Sequence, residues 1–421
     1  MANRGADARP SVRRLLRHVQ EKIYGLEKDA SKTLLCVAAA AALALAAFAG
    51  TSAASATTAS AVTSSAPSAR SALPCNIYAA GNTPCVAAYS TVRALYAGYY
   101  GPLYQVKRAS DDATRQITTL TPGGYADADA QAAFCAGTVC TITRLYDQSG
   151  HYNDLGIEPI GGNGSADVGS IANALPVIVN GHRVYGLSVQ AGVGYRNDVT
   201  NDVPIDGQPQ GAYMVTSGTH VDNLCCFDFG NAETSNTDTG NGHMDAINFG
   251  TECWFTPCTG SGPWVQADLE NGLFMGGNGV NAANTGNASK FVTAMMNNNG
   301  QTDYTIADAN AQSGGLHVEY SGPLPDIGGY TPMHQEGSIL LGTGGDDSNG
   351  SDGSFFEGVV TAGYPSTATD NAVQASVVAA GYQQVVPSFP ATGTDYNITN
   401  VNSATQVQPD VCQQWNITPA S

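Results

Sequence analysis

Two carboxylates two residues apart in an apolar run, Trp264-Val-Gln-Ala-Asp268-Leu-Glu270-Asn271, are the residues of this 421-residue chain whose spacing most directly suggests chemistry. On a strand, residues i and i+2 project from one face, so Asp268 and Glu270 would stand side by side. Like charges so placed repel unless a site uses them. One could hydrogen-bond sugar hydroxyls while the other attacks an anomeric carbon; a solvated strand face is the alternative. A second acidic segment, Gly344-Gly345-Asp346-Asp347-Ser348-Asn349-Gly350, directly follows the apolar residues Ile339-Leu340-Leu341. Asp346 therefore sits on a Gly-lined loop at a strand end, where sandwich folds keep functional groups. Asp346 to Glu357 also has the first-to-twelfth spacing of a calcium-binding EF-hand loop, but its sixth position is Ser351 rather than Gly, which disfavours calcium.

Cys225 and Cys226 are adjacent. Bonded to each other, they would close a tight ring that presents a rigid apolar plate to the carbon face of a sugar. Two separate thiols, or bonds to distant partners, are the alternatives. Trp254, between Cys253 and Cys258, is either a second sugar-contacting wall or a core residue. Neither a phosphate-binding G-x-x-x-x-G-K-[ST], nor H-E-x-x-H, nor G-x-S-x-G, nor a helix-opening G-x-G-x-x-G occurs, so nucleotide, zincin and α/β-hydrolase chemistry fall away.

The elements that must position these residues are strands. Residues 141–146, 213–215, 246–249, 264–269, 291–295, 338–341 and 355–361 read as short apolar strands, and 177–185 as a hairpin turning at Asn180-Gly181. Residues 85–101 read as a helix, because Val86, Tyr89, Val92 and Tyr96 recur at three-to-four spacing, and residues 370–380 as a second. Short strands without regular helical alternation predict an all-β, two-sheet sandwich over residues 74–383 with short flanking helices. Charged residues at 12%, about half the usual share, and 49 Gly exclude a helical bundle and a disordered chain.

The first 56 residues hold 8 of the 17 Lys+Arg and 4 of the 35 Asp+Glu, which leaves 9 basic against 31 acidic residues beyond them. So acidic a surface repels phosphate backbones and anionic headgroups, which excludes nucleic-acid and membrane-surface partners and suits a neutral glycan. Residues 1–56 run from a basic stretch through the apolar residues 33–50 to Ala54-Ser55-Ala56, the order of a secretory signal; an uncleaved membrane anchor is the alternative. Residues 57–73 read as a Ser/Ala/Thr linker, and 384–421 as a tail too short for a second domain. Cys75/Cys85, Cys135/Cys140, Cys225/Cys226 and Cys253/Cys258 form short-range pairs without zinc-site spacing, which implies an oxidising, secreted or periplasmic location. Cys412 is left over, and Cys36 lies in the signal.

The motifs Thr83-Pro-Cys-Val-Ala-Ala, Tyr146-Asp-Gln-Ser-Gly, Gly194-Tyr-Arg-Asn, Cys225-Cys-Phe-Asp-Phe-Gly-Asn-Ala-Glu-Thr-Ser, Asp268-Leu-Glu-Asn, Gly344-Gly-Asp-Asp-Ser-Asn-Gly and Phe356-Glu-Gly-Val occur in this order. Together they resemble the glycoside hydrolase family 54 α-L-arabinofuranosidases. The resemblance covers about residues 75–382. It implies a concanavalin-A-like, jelly-roll sandwich and a retaining, exo-acting hydrolase that releases α-L-arabinofuranosyl units from arabinoxylan or arabinan. It places the nucleophile on Glu270, the general acid/base on Asp346, the vicinal disulfide on Cys225–Cys226, and sugar contacts on Asp268, Asn271, Trp254 and Gly345. Two further family disulfides fall on Cys75–Cys85 and Cys135–Cys140, with Cys253–Cys258 an addition. No cofactor or metal is implied, and a monomer is expected. Family members commonly continue into an arabinose-binding β-trefoil domain, which the 39 residues after Tyr382 are too few to form. A lectin-like binding module, or a related xylosidase or galactofuranosidase, are the competing readings.

Overall fold

A computed structural model describes residues 73–385 apart from 241, 254–257, 271–272, 277–279, 301 and 325–331. The signal segment with Cys36, nearly all of the linker, and all but two residues of the tail, Cys412 among them, lie outside the described residues. Among the described residues the chain is built of β-sheets with three short helices. A six-stranded sheet runs Cys85–Ser90, Glu357–Ala362, Gln210–Thr216, Val292–Asn298, Tyr304–Asn310, His317–Gly322. A ten-stranded sheet runs Leu273–Phe274, Trp264–Asp268, Asp245–Gly250, Asp228–Ala232, Ser338–Leu341, Tyr195–Asn197, Leu155–Ile157, Cys140–Leu145, Pro102–Arg108, Thr114–Thr118. The named pairings in both are antiparallel. A four-stranded sheet adds Gly353–Phe355, His182–Val189, Leu175–Val179 and Tyr382–Gln384.

Strand alternation sorts the ten-stranded sheet into two different faces. Phe229, Ile247, Val265, Ala267 and Leu341 point into the core shared with the six-stranded sheet. On the opposite face, register aligns Asp268, Ala246, Gly230, Leu340 and Arg196 in one row across five strands. Asp228, Asn248 and Gln266 stand in the next row of that same face. These polar residues are buried too, so the acidic face is covered rather than washed by solvent.

Residues 85–101 do not form the expected helix. Cys85–Ser90 is a strand buried on both faces and paired to Glu357–Ala362. Ser90 ends it by accepting the N–H groups of Val92 and Arg93 on its Oγ, a local turn that breaks the apparent helical periodicity. The helix here is instead Pro74–Ala80, which starts on Pro at its first turn. The later helix, Thr367–Ala379, begins three residues before the expected start because Ser366 caps it, accepting from Thr369 N. The Asn180-Gly181 turn forms with φ of 48° and 82°, as a type I′ hairpin requires.

Glu357, the residue at the twelfth position of the calcium-like spacing, is committed elsewhere. Its carboxylate accepts both arms of the buried Arg93 guanidinium at 2.5 Å, and the Tyr213 and Tyr382 hydroxyls at 3.1 and 2.8 Å. Truncating Arg93 to Ala strands that carboxylate in the core, and the expected loss is about 3–5 kcal/mol of folding stability. Denaturant unfolding of Arg93→Ala measures it; a loss below about 1 kcal/mol would contradict the pairing as a core element.

Candidate active site

The strand Trp264–Asp268 stops short of Glu270. Asp268 accepts the Glu270 N–H on Oδ1 at 2.9 Å, and this side-chain turn swings Glu270 into left-handed backbone at φ 65°. The two carboxylates therefore differ from the side-by-side strand arrangement expected of them: Asp268 stays on the sheet face, while Glu270 stands on the turn beyond it. A non-glycine residue in that region costs energy, so surrounding contacts must hold it there.

Asp346 reaches the same place from the other side. Its loop leaves Ser338–Leu341, and Ser348 N donates back to Asp346 Oδ1 at 3.1 Å. Cys225 and Cys226 form a disulfide, and the pair is clipped to this loop. Cys226 N donates to Ser348 O at 3.0 Å and Gly350 N to Cys225 O at 3.0 Å. Cys226 Sγ lies 3.8 Å from Asp268 Oδ2, so disulfide, sheet carboxylate and acidic loop converge.

Sequence reasoning missed two residues here. Glu233, just beyond the strand Asp228–Ala232, is fully buried, and it lies near enough to Glu270 for its charge to act on that carboxyl. Gly345 leaves room for it: a Cβ at that position would sit 2.1 Å from Glu233 Oε1. Arg196 ties the two segments together, donating from Nη1 to Gly345 O at 2.5 Å and from Nη2 to Glu233 O. It also faces Asp198 at 2.5 Å and Glu158 at 3.3 Å. Both residues lie inside motifs quoted above. Their sequence signal was a lone ionisable residue in or beside a buried strand, which gains meaning once its partners are known.

Burial raises the proton affinity of the whole group. Glu270 is pushed up by burial and then by the charges of Glu233, Asp268 and Asp346. Glu233 is pushed up to about 7, again chiefly by burial. Asp228, fully buried, is held well above the carboxylate range by burial and by the charge of Asp268. Asp268 is raised for the same first reason, and the bond from the Glu270 N–H offsets part of it.

This geometry meets independent comparisons. The model of the family described as "Alpha-L-arabinofuranosidase B, catalytic" matches residues 74–383. The chain belongs to this family. A probable α-L-arabinofuranosidase B of Aspergillus fumigatus is 52% identical over 318 residues, 73% of this chain and 62% of that protein. An α-L-arabinofuranosidase of Hypocrea jecorina is 51% identical over 325 residues, 75% of this chain and 64% of its own. The chain thus spans under two thirds of the length of these curated relatives. A solved family 54 α-L-arabinofuranosidase soaked with a cyclic sulfate inhibitor superposes with a TM-score of 0.73 at 48% identity, over 75% of this chain and 68% of that one. An arabinofuranosidase complexed with arabinofuranosyl-α-1,2-xylobiose matches equally well, with the same score, identity and coverage.

In this arabinofuranosidase-family domain, Asp268, Glu270, Asp346, Gly345, Cys225 and Cys226 come together. Trp254 and Asn271 lie outside the described residues. The remaining disulfides are structural: Cys75–Cys85 joins Pro74–Ala80 to the first strand, Cys135–Cys140 joins the short helix Ala128–Phe134 to Cys140–Leu145, and Cys253 is bonded to Cys258. Three described groups of titratable side chains outside this centre, among them Glu158, Asp167 and Asp347, have metal-compatible spacing.

The raised carboxyls set how stability depends on pH. A carboxyl whose folded value exceeds its unfolded one binds protons more tightly when folded, so stability is fully present below the unfolded value and is lost as pH rises through the folded one. Glu158 is raised to about 8, and Glu233, Glu252 and Asp245 to about 7, each chiefly by burial. Their ordinary values are 3.8 for Asp245 and 4.5 for the three glutamates. The melting temperature is therefore expected to peak near pH ~4.5 and to fall steadily toward pH ~8. Calorimetric scans across that range check it, and a melting temperature that climbs toward pH ~8 would contradict it.

Proposed function

We propose that the chain is a secreted, monomeric, retaining α-L-arabinofuranosidase that removes terminal arabinofuranosyl units from arabinoxylan- or arabinan-type polysaccharides. What carries the reading is the meeting of Glu270 and Asp346 beside the Cys225–Cys226 disulfide, close enough that the Asp346 charge acts on Glu270. The family membership and the arabinofuranosyl-xylobiose named with a solved relative support the substrate class. The paired cysteines support secretion.

In the first step Asp346, as a carboxylic acid, gives its proton to the glycosidic oxygen while the Glu270 carboxylate attacks the anomeric carbon. The C–O bond to the leaving sugar breaks and an arabinosyl ester of Glu270 forms. Asp346, now ionised, takes a proton from water, whose oxygen displaces Glu270 and releases arabinose with its original anomeric configuration. The two sulfurs present an apolar surface at one edge of this site, suited to the carbon face of a sugar, and Asp268 offers an acceptor to its hydroxyls.

A panel of aryl glycosides tests activity and specificity together. Release of nitrophenol from p-nitrophenyl α-L-arabinofuranoside is the expected result, and its absence would leave a binding module. The same panel reads xylosidase activity, relevant because a 51%-identical relative from Trichoderma koningii is named an arabinofuranosidase/β-xylosidase. Glu270→Ala is expected to abolish turnover while the protein stays folded. Asp346→Asn should lose about 10²–10⁴-fold on xylan-linked arabinose. It should lose less on the nitrophenyl glycoside, whose leaving group needs little protonation. Near-normal turnover by Glu270→Ala, or an inverted first product in proton NMR, would overturn the assignment.

A further inference from the structure

We propose that Glu158, Asp167 and Asp347 form a calcium site that fastens the acidic loop of Asp346 to the sheet. The inference is independent of the roles given to Glu270 and Asp346, since its test reads metal binding and melting.

The three carboxylates converge from two segments at one end of the ten-stranded sheet. Glu158 directly follows Leu155–Ile157, Asp347 lies on the loop after Ser338–Leu341, and Tyr195–Asn197 pairs with both of those strands. Glu158 N donates to Gly194 O at 3.0 Å and Asp167 N to Glu158 O at 3.3 Å, which brings Asp167 back beside Glu158. One carboxylate oxygen from each of the three residues lies within 4.8 Å of the other two. Oxygens that share a calcium ion, each at about 2.3–2.6 Å from it, stand no farther apart than about 5 Å.

Buried oxygens without a partner separate this trio from a plain acidic cluster. Glu158 is 1% exposed and Asp167 7%, yet Glu158 Oε2 and Asp167 Oδ2 have no hydrogen-bond partner in the protein. The other oxygen of each is already engaged: Glu158 Oε1 faces Arg196 Nη1 at 3.3 Å, and Asp167 Oδ1 accepts from Asn349 Nδ2. Asp347, fully buried, accepts the Gly161 N–H on Oδ2 at 2.9 Å, and Asn349 Nδ2 stands 3.5 Å from its Oδ1. Arg196 does little to neutralise the trio, because its shorter contacts go to Asp198 and to the carbonyls of Gly345 and Glu233. A divalent ion supplies the missing positive charge and the missing partner together.

The surrounding backbone is shaped to these carboxylates. A Cβ at Gly194 would stand 2.1 Å from Asp167 Oδ2, and one at Gly161 would stand 2.5 Å from the Asp347 Cβ. The donors are hard oxygens on irregular loops, a set that suits calcium better than magnesium, which demands near-octahedral geometry and holds its waters. The calcium-like spacing from Asp346 to Glu357 points elsewhere, and Arg93 already takes Glu357. An ion here would act on the loop of the opposing acid, since Asp347 follows Asp346 and Gly162 N donates to Asp346 O at 3.0 Å. The pH dependence of melting given above is that of the protein without this ion.

The full chain is stripped with EGTA, desalted, and titrated with CaCl2 at pH ~7 by isothermal calorimetry and by melting scans. One calcium per chain should bind, and ~1 mM CaCl2 should raise Tm by about 2–4 °C over NaCl of equal ionic strength. Magnesium at the same concentration should raise it by less than half as much. Asp167→Asn and Glu158→Gln each keep the side-chain volume and remove one negative charge, and each should abolish the rise. Asp238→Asn and His317→Ala, in the two other such groups outside the active site among the described residues, should keep it. Wild-type protein that binds no calcium saturably overturns the proposal, as does a rise that persists in Asp167→Asn or Glu158→Gln. An equal rise with magnesium overturns the assignment of calcium. Should neither Asp167→Asn nor Glu158→Gln fold, calcium binding kept by both Asp238→Asn and His317→Ala upholds the site, and its loss in either overturns it.

Discussion

Burying carboxyls without enough cations to neutralise them is the constraint from which the rest of the site follows. Asp228, Glu233, Asp268 and Glu270 are all buried on or beside one face of the ten-stranded sheet. Desolvation alone would make four isolated anions there prohibitively costly. Their charges act on one another, Asp228 with Asp268 and Glu233 with Glu270, and burial raises the proton affinity of all four. The sheet supplies this arrangement because its register sets Asp228 and Asp268 on the same face of strands that flank Asp245–Gly250.

Arg196 does more with geometry than with charge. Its guanidinium joins the carbonyl that follows the strand Asp228–Ala232 to the carbonyl preceding Asp346. Those two chain segments carry Glu233 and the opposing acid, so a planar fork fixes their separation in a way a flexible ammonium would not. The disulfide at Cys225–Cys226 ties a third segment to the acidic loop through main-chain bonds in both directions. These contacts use backbone atoms, which leaves the side chains free for a ligand.

Much of this was readable from the sequence where the signal is local. The Asp268/Glu270 spacing, the adjacent cysteines, the Gly-lined acidic loop and the Asn180-Gly181 hairpin each declare themselves within a few residues. The strand end at Asp268 was not readable, because an Asp in an apolar strand and an Asp that turns the chain with its own side chain look alike. Val86, Tyr89, Val92 and Tyr96 mimicked a helix since a strand buried on both faces loses its alternation and runs on into a turn. Arg196 and Glu233 meet across 37 residues of sequence, and no short motif encodes that pairing.

Two buried glutamates in this fold receive opposite treatment, and the contrast separates structure from chemistry. Glu357 is given a full guanidinium and two phenols, so its charge is matched and its lone pairs are spoken for. Such a carboxylate is a poor nucleophile, because attack would require breaking four hydrogen bonds and abandoning an arginine in the core. Glu270 receives no guanidinium among the described contacts; it receives a left-handed backbone turn and the nearby charges of Glu233, Asp268 and Asp346. An anion held that way sits in a medium that solvates it weakly, which raises its energy relative to the neutral ester it would become. The fold thus gives Glu357 the cation that keeps its charge in place and leaves Glu270 without one, where charge must be handed over.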